Sequence, residues 1–412
     1  MEKRAAAAFA RGIGLLLLLL CLSACAPDPD PAPLETAAPA TAAGLNAATG
    51  LAPSPSAGPA ASPTAALPAS PTPTPTPARL PAHTPTPTPT PAPEEPDLAR
   101  LGDPLPETGG LINPGSAGVL TQLAWLQEVG ARQVAWSPDG TRLAAAVEDG
   151  LALFAVENLT RTHLLEAASP QLSAAFSVRG GLVASGGEDG VVSVWRVADG
   201  SLLYRLEGHG GEVTGVAFSP NGRLIAAASQ DGGLRLWSQD NGALLHELRG
   251  HLAGLRAVQF APSGLYLASG ADDGSVRLWW AADGRLMRVL EGHGNWVSDL
   301  AFMPGGGTLA TGSWDGRVVL WKANTRRIRR ILSGHEWGVT GIAAAPSGGL
   351  LASASADGTI RLWRVYDGVN LAILNGHRGP VSGVSFSPGG SLLASWGLEG
   401  DIRLWGLPPA GE

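Results

Sequence analysis

The chain has two cysteines in 412 residues, Cys21 and Cys25, both close to the N-terminus. Any folded region beyond them has no disulfide and no cysteine metal site. Basic residues are also short: 28 Lys and Arg stand against 35 Asp and Glu, for a net charge of −7. That balance argues against nucleic acid as the main partner, because phosphate binding needs a clustered positive surface. Residues 26–117 hold almost no large apolar side chains and cannot build a core, whereas all 13 Trp lie beyond them. The remainder contains no Gly-rich phosphate loop, no His-Glu metal motif and no Gly-x-Ser-x-Gly elbow, so neither cofactor nor metal is expected.

What is present divides into a leader, a tether and one large domain, over residues 1–24, 25–117 and 118–412. Lys3 and Arg4 precede an apolar run from Gly12 to Leu22 that ends in Leu22-Ser23-Ala24-Cys25. This is a secretory signal layout, and the run is about half the roughly 20 residues needed to span a bilayer. The ending resembles the lipobox of bacterial lipoproteins. That resemblance implies that Cys25 becomes the first mature residue and carries the acyl chains, which places the protein outside the cytoplasmic membrane, lipid-anchored. Ordinary secretion, with Cys25 incidental, is the alternative. Loss of the leader takes the net charge from −7 to −9, since Lys3, Arg4 and Arg11 outnumber Glu2. Inner and outer membrane are not distinguished.

Pro-Thr repeats at 71–77 and 84–91 lie within a longer Ala, Ser, Thr and Pro stretch. Such sequence favours polyproline II and buries too little apolar surface to collapse. A spacer is the expected role; a docking ligand or a glycosylated segment is the alternative.

Beyond it the chain repeats. His209, His251, His293, His335 and His377 each follow a Gly at a constant spacing of 42 residues. Trp195, Trp237, Trp279, Trp321, Trp363 and Trp405 keep the same interval, as do Asp189, Asp231, Asp273, Asp315 and Asp357. Within one unit, Val213–Phe218, Leu224–Ala228, Leu234–Trp237 and Ala243–Leu248 are apolar or alternating segments. Ser219-Pro220-Asn221-Gly222, Asp231-Gly232 and Asp240-Asn241-Gly242 separate them. Pro-x-Gly, Asp-Gly and Asn-Gly are hairpin signals, so each unit reads as a four-stranded antiparallel sheet.

Gly-His, Ser-Pro-x-Gly, Asp-Gly and Trp recurring at this interval resemble the WD-repeat family, over about 290 residues. The resemblance implies an all-β, seven-bladed β-propeller. The Asp that usually follows the Trp is missing here, where Ser, Trp, Lys, Arg and Gly follow Trp237, Trp279, Trp321, Trp363 and Trp405. Seven units are counted on Asp149, Asp189, Asp231, Asp273, Asp315, Asp357 and Glu399. The first two are degenerate, with Gln127 and Ala167 at the His position and Phe154 at the first Trp. The chain ends soon after Trp405, and Val119–Trp125 aligns with the fourth strand of a later unit. It is therefore expected to join the last blade and close the ring, which removes exposed edges.

His251, Ser269 and Asp273 are the residue types of a hydrolase triad. His293, Thr311 and Asp315 repeat the set, as do His335, Ser353 and Asp357, and an active site need not be built three times in one chain. The family resemblance implies instead a buried network in each blade, closed by Trp279, Trp321 and Trp363. No catalysis is expected. Ala227 in unit three and Glu399 in unit seven depart from the pattern, and both networks are expected to be weaker.

By the same resemblance the wide face of the ring is the partner surface, and the protein is expected to be a non-catalytic binding scaffold, a monomer engaging a protein of unidentified kind. Its exposed contacts would be Glu212, Thr214, Gln230, Arg256, Asp272, Trp296, Ser298, Trp314, Thr340, Ser382 and Leu398. Arg132, Glu148, Leu172 and Glu188 would join them from the degenerate units. Trp296 and Trp314, extended by Trp337, form the expected hot spot, since exposed Trp dominates binding surfaces. Packing of these indoles between blades is the alternative, as is a solvated charge cluster for Arg256, Glu212 and Asp272. A carbohydrate-binding propeller is the second functional class; cleavage would need paired carboxylates, of which Glu148 and Glu188 are the nearest candidates.

Overall fold

The computed structural model describes residues 98–408, apart from Glu128 and Asn324. The leader, Cys25 and the Pro-Thr tether lie outside the described residues. Within them, twenty-eight strands form seven four-stranded antiparallel sheets. These are blades one to seven, at 133–166, 171–206, 213–248, 255–290, 297–333, 339–374 and 381–406, the last completed by Thr121–Leu126. The first strands of successive blades pack side by side, and Val381–Phe386 of blade seven meets Gln133–Trp136 of blade one, so the ring closes.

Closure uses the expected N-terminal strand. Thr121–Leu126 pairs antiparallel with Ile402–Gly406, Trp125 opposite Arg403. The Trp125 indole N–H donates to Asp401 at 2.8 Å, and the Arg403 guanidinium lies 4.6 Å from the ring centroid.

The turns form for the reasons the sequence offers. In blade three the Ser219 hydroxyl donates to Asn221 at 2.7 Å and accepts from the Leu224 N–H at 2.8 Å. Gly222 takes φ 68°, a left-handed conformation that costs a residue without a Cβ little. At the centre of the ring the first strands carry small residues because backbones meet there: a Cβ on Gly341 would lie 2.7 Å from the Gly383 Cα. The apolar cores lie between adjacent blades, built from Leu, Val and Ala with a deeply buried third-strand Trp in six seams, such as Trp237 and Trp321, and with Phe154, Trp136 and Trp396 in the seam between blades seven and one.

One boundary differs from the sequence reading. Residues 98–117 belong with the propeller rather than the tether. Ala99 bridges to Ala124, the Ile112 N–H donates to the Gly390 carbonyl at 2.8 Å, and Ile112 and Ala117 are buried in the seam between blades six and seven. Their Pro- and Gly-rich composition hid this, because three buried side chains in twenty, Ala99, Ile112 and Ala117, leave no periodic signal.

Candidate functional site

Chain direction places the loops that join each blade to the next, and the second-to-third-strand turns, on one face of the ring. The first carry the histidines and the second the aspartates. Ser or Thr stands on the second strand and Trp on the third. In blade four, His251 Nδ1 lies 3.0 Å from Asp273 and Nε2 2.8 Å from Ser269, whose hydroxyl accepts from the Trp279 indole N–H at 2.9 Å. Blade five repeats this with His293, Asp315, Thr311 and Trp321 at 3.0, 2.7 and 2.8 Å. Blade six does so with His335, Asp357, Ser353 and Trp363 at 2.8, 2.7 and 2.8 Å. A neutral imidazole with its proton on Nδ1 satisfies every partner: it donates to the carboxylate and accepts from the hydroxyl.

Burial favours the neutral form of two of these imidazoles. His251 and His335 are pushed below the ordinary histidine range by burial, although their aspartates pull the other way. For Asp273, burial alone would raise the carboxyl. Hydrogen bonds from the Leu252 N–H and from Ser275 outweigh it and hold the group at about 2. Ser269, Thr311 and Ser353 are fully buried. Their Oγ atoms are occupied by indole and imidazole and out of reach of a substrate.

The two departures behave differently. In blade three, Ala227 leaves His209 Nε2 buried without a partner, while Nδ1 stays 3.2 Å from Asp231. Burial first, then the nearby Arg235 guanidinium, push His209 down to about 4. In blade seven the substituted set is geometrically complete, although Glu399 Oε2 is left buried without a hydrogen-bond partner. His377 reaches Glu399 at 2.6 Å and Ser395 at 2.7 Å, and the Trp405 indole donates to Ser395 at 2.9 Å. The extra methylene fits because residue 397 is Gly. Blade two supplies a contact the sequence reading missed: Gln171 accepts from the buried Ser185 hydroxyl in place of the absent His.

On the same face, the mouth of the central channel is a cavity of about 480 Å³. Glu212, Thr214, Gln230, Arg256, Ser298, Thr340, Ser382 and Leu398 line it, with Arg132 and Leu172 from the first two blades. Asp272 stands beside it and grips Arg256, at 2.5 Å to Nε and 3.2 Å to Nη2. Glu188 pairs with Arg132, while Glu148 lines a separate depression with Asp149 and Glu166. The two glutamates weighed for sugar cleavage therefore sit in different surroundings.

Trp296 and Trp314 adjoin this mouth, 41% and 42% exposed, with ring centroids 5.9 Å apart in an edge-to-face arrangement. The Arg256 guanidinium lies 4.8 Å from the Trp296 centroid. Trp337 is 64% exposed in the next loop, beside Gly338, whose close approach to the Trp314 ring leaves no room for a Cβ. The sequence reading missed Leu252, 89% exposed on the preceding blade.

Deeper in the channel wall, Asp299 accepts from the Leu300 N–H and, across the seam, from the Ile342 N–H, both at 2.8 Å. Burial raises its carboxyl to about 6 despite these bonds. Gln133 occupies the same repeat position and makes the same bridge to Ala174, at 2.6 Å.

Among curated proteins none matches the chain. The family model described as WD domain, G-beta repeat matches six stretches: 160–196, 200–238, 242–279, 284–322, 326–364 and 368–406. Each begins just before the fourth strand of one blade and ends in the third strand of the next. The strands of blade one that lost His and Trp fall outside the matches. With more than half of its length matched and seven blades built on the repeat, the chain belongs to the WD domain, G-beta repeat family.

Proposed function

We propose that this chain is a non-catalytic binding scaffold that holds a protein partner on the face carrying the channel mouth. The observation that carries the reading is the joined surface of Trp296, Trp314 and Trp337 beside the Arg256–Asp272 pair. Half-exposed indoles fixed by neighbours lose little conformational freedom on binding, and Trp with Arg is the combination enriched among residues that dominate interfaces. Protein is favoured over sugar because Arg256 already covers one face of Trp296. Non-catalytic use is favoured by the full burial of Ser269, Thr311 and Ser353, each held between an imidazole and an indole. The N-terminal sequence supports display outside the cytoplasmic membrane on a lipid carried by Cys25, with the Pro-Thr segment as spacer.

The test is affinity capture from a cell-envelope extract with the wild type and with the folded Trp296→Ala, Trp314→Ala variant. Retention of a protein by the first and its loss from the second supports the reading. Equal retention of wall polysaccharide by both, with no protein, contradicts it.

A further inference from the structure

Blade one has lost the whole polar network, and a cavity stands in its place. Gln127 holds the His position, Ala145 the Ser position and Phe154 the Trp position. Phe154 pairs with Leu143 as Trp237 pairs with Ile225. Ala152 faces Ala145 where blade three sets Arg235 against Ala227. Imidazole, guanidinium and half of an indole are thus removed from one seam at once, and nothing larger replaces them. The result is a cavity of about 540 Å³ between the first blade and the packed segment that carries Leu101. That volume is within the range of ligand pockets, roughly 300 to 1,000 Å³.

Its chemistry is two-sided. Val147, Ala152 and Phe154 are buried and form an apolar floor, and Leu101 forms a wall. Gln127 and Arg161 stand exposed at the mouth, with Thr160 beside them. Among the described residues, those lining the cavity include no acid.

We propose that this cavity binds a small aromatic carboxylate, its planar ring against Phe154 and its carboxylate beside the Arg161 guanidinium. The flat ring takes the place that blades three to six fill with an imidazole set edge-on or tilted against an indole. The carboxylate meets the one charged side chain among the described lining residues, in the planar geometry that guanidinium recognises best. The site is on the seam between blades seven and one, away from the Trp296 surface, so it stands or falls independently of the partner reading.

The experiment is saturation-transfer NMR on the full chain with indole-3-acetate and its uncharged analogue 3-methylindole. Indole-3-acetate is expected to bind with a Kd of about 0.1 to 1 mM. Phe154→Trp, which refills the floor, and Gln127→Trp, which covers the mouth from an exposed position, should each weaken both ligands about tenfold or more. Arg161→Gln should weaken indole-3-acetate about fivefold and leave 3-methylindole unchanged. Absence of transfer at millimolar concentration overturns the proposal, as does binding that all three folded variants keep unaltered.

Discussion

Glu399 and Gly397 fit each other: a Cβ on residue 397 would lie 2.1 Å from Glu399 Oε2. Where the acid is Asp, residue 397's counterpart is free to be Ala or Ser, as Ala271 is beside Asp273 and Ser355 beside Asp357. The glycine is what lets the longer acid reach His377 at 2.6 Å.

Gly397→Ala should therefore displace Glu399 and lower the unfolding free energy by about 1 to 3 kcal/mol, the usual cost of overpacking. Adding Glu399→Asp recreates the pair that blade four carries and should restore most of the loss. Urea unfolding of the two variants checks this; a double variant no better than the single one contradicts it.

Ala227→Ser supplies the hydroxyl that His209 Nε2 lacks. The site already accepts Ser269 and Ser353 in neighbouring blades, so the strand has room. A gain of about 1 kcal/mol is expected, the net value of one buried hydrogen bond. Thermal unfolding followed by circular dichroism would read it as a raised Tm.

The buried histidines make the ring sensitive to acid. A group whose folded pKa is depressed contributes stability above its unfolded pKa and loses it as pH falls through the folded value. For His209 that window runs from 6.5 down to about 4, and His251, His335 and His377 shift in the same direction. Stability measured in urea should fall steadily as pH is lowered through this window. His209→Gln should flatten part of the slope.

Asp299 works the opposite way. Its raised pKa means that the folded state holds a proton the unfolded chain has released, so its contribution is lost as pH rises from 3.8 to about 6. Asp299→Asn removes that titration. The stability difference, variant minus wild type, should therefore increase with pH between 4 and 6 and level off above; a flat difference would show that Asp299 titrates normally.

Much of this molecule was legible from its repeat. The 42-residue interval marks His, Asp and Trp, and hairpin signals mark the strands between them, so blade number, closure and the buried sets of blades four to six follow. The failures are local substitutions that the pattern hides. Gly397 explains Glu399 only when both side chains are seen in space. Leu159 stands in the left-handed turn position, φ 54°, that Gly242 and Gly284 fill elsewhere, and its burial compensates for the strain. Gln171 substitutes for a histidine from the first position of the blade's first strand. The degenerate first blade reads as mere divergence in sequence, and only the packing reveals the cavity left behind.

The most direct test of the binding-face account is site-specific photocrosslinking in whole cells, with a photoreactive residue at Trp337 and, on the opposite face, at Asn221. The account predicts a discrete protein adduct from position 337 that disappears when Trp296 and Trp314 are replaced by Ala, and none from position 221. Adducts of equal yield from both faces, or none from 337, would contradict it.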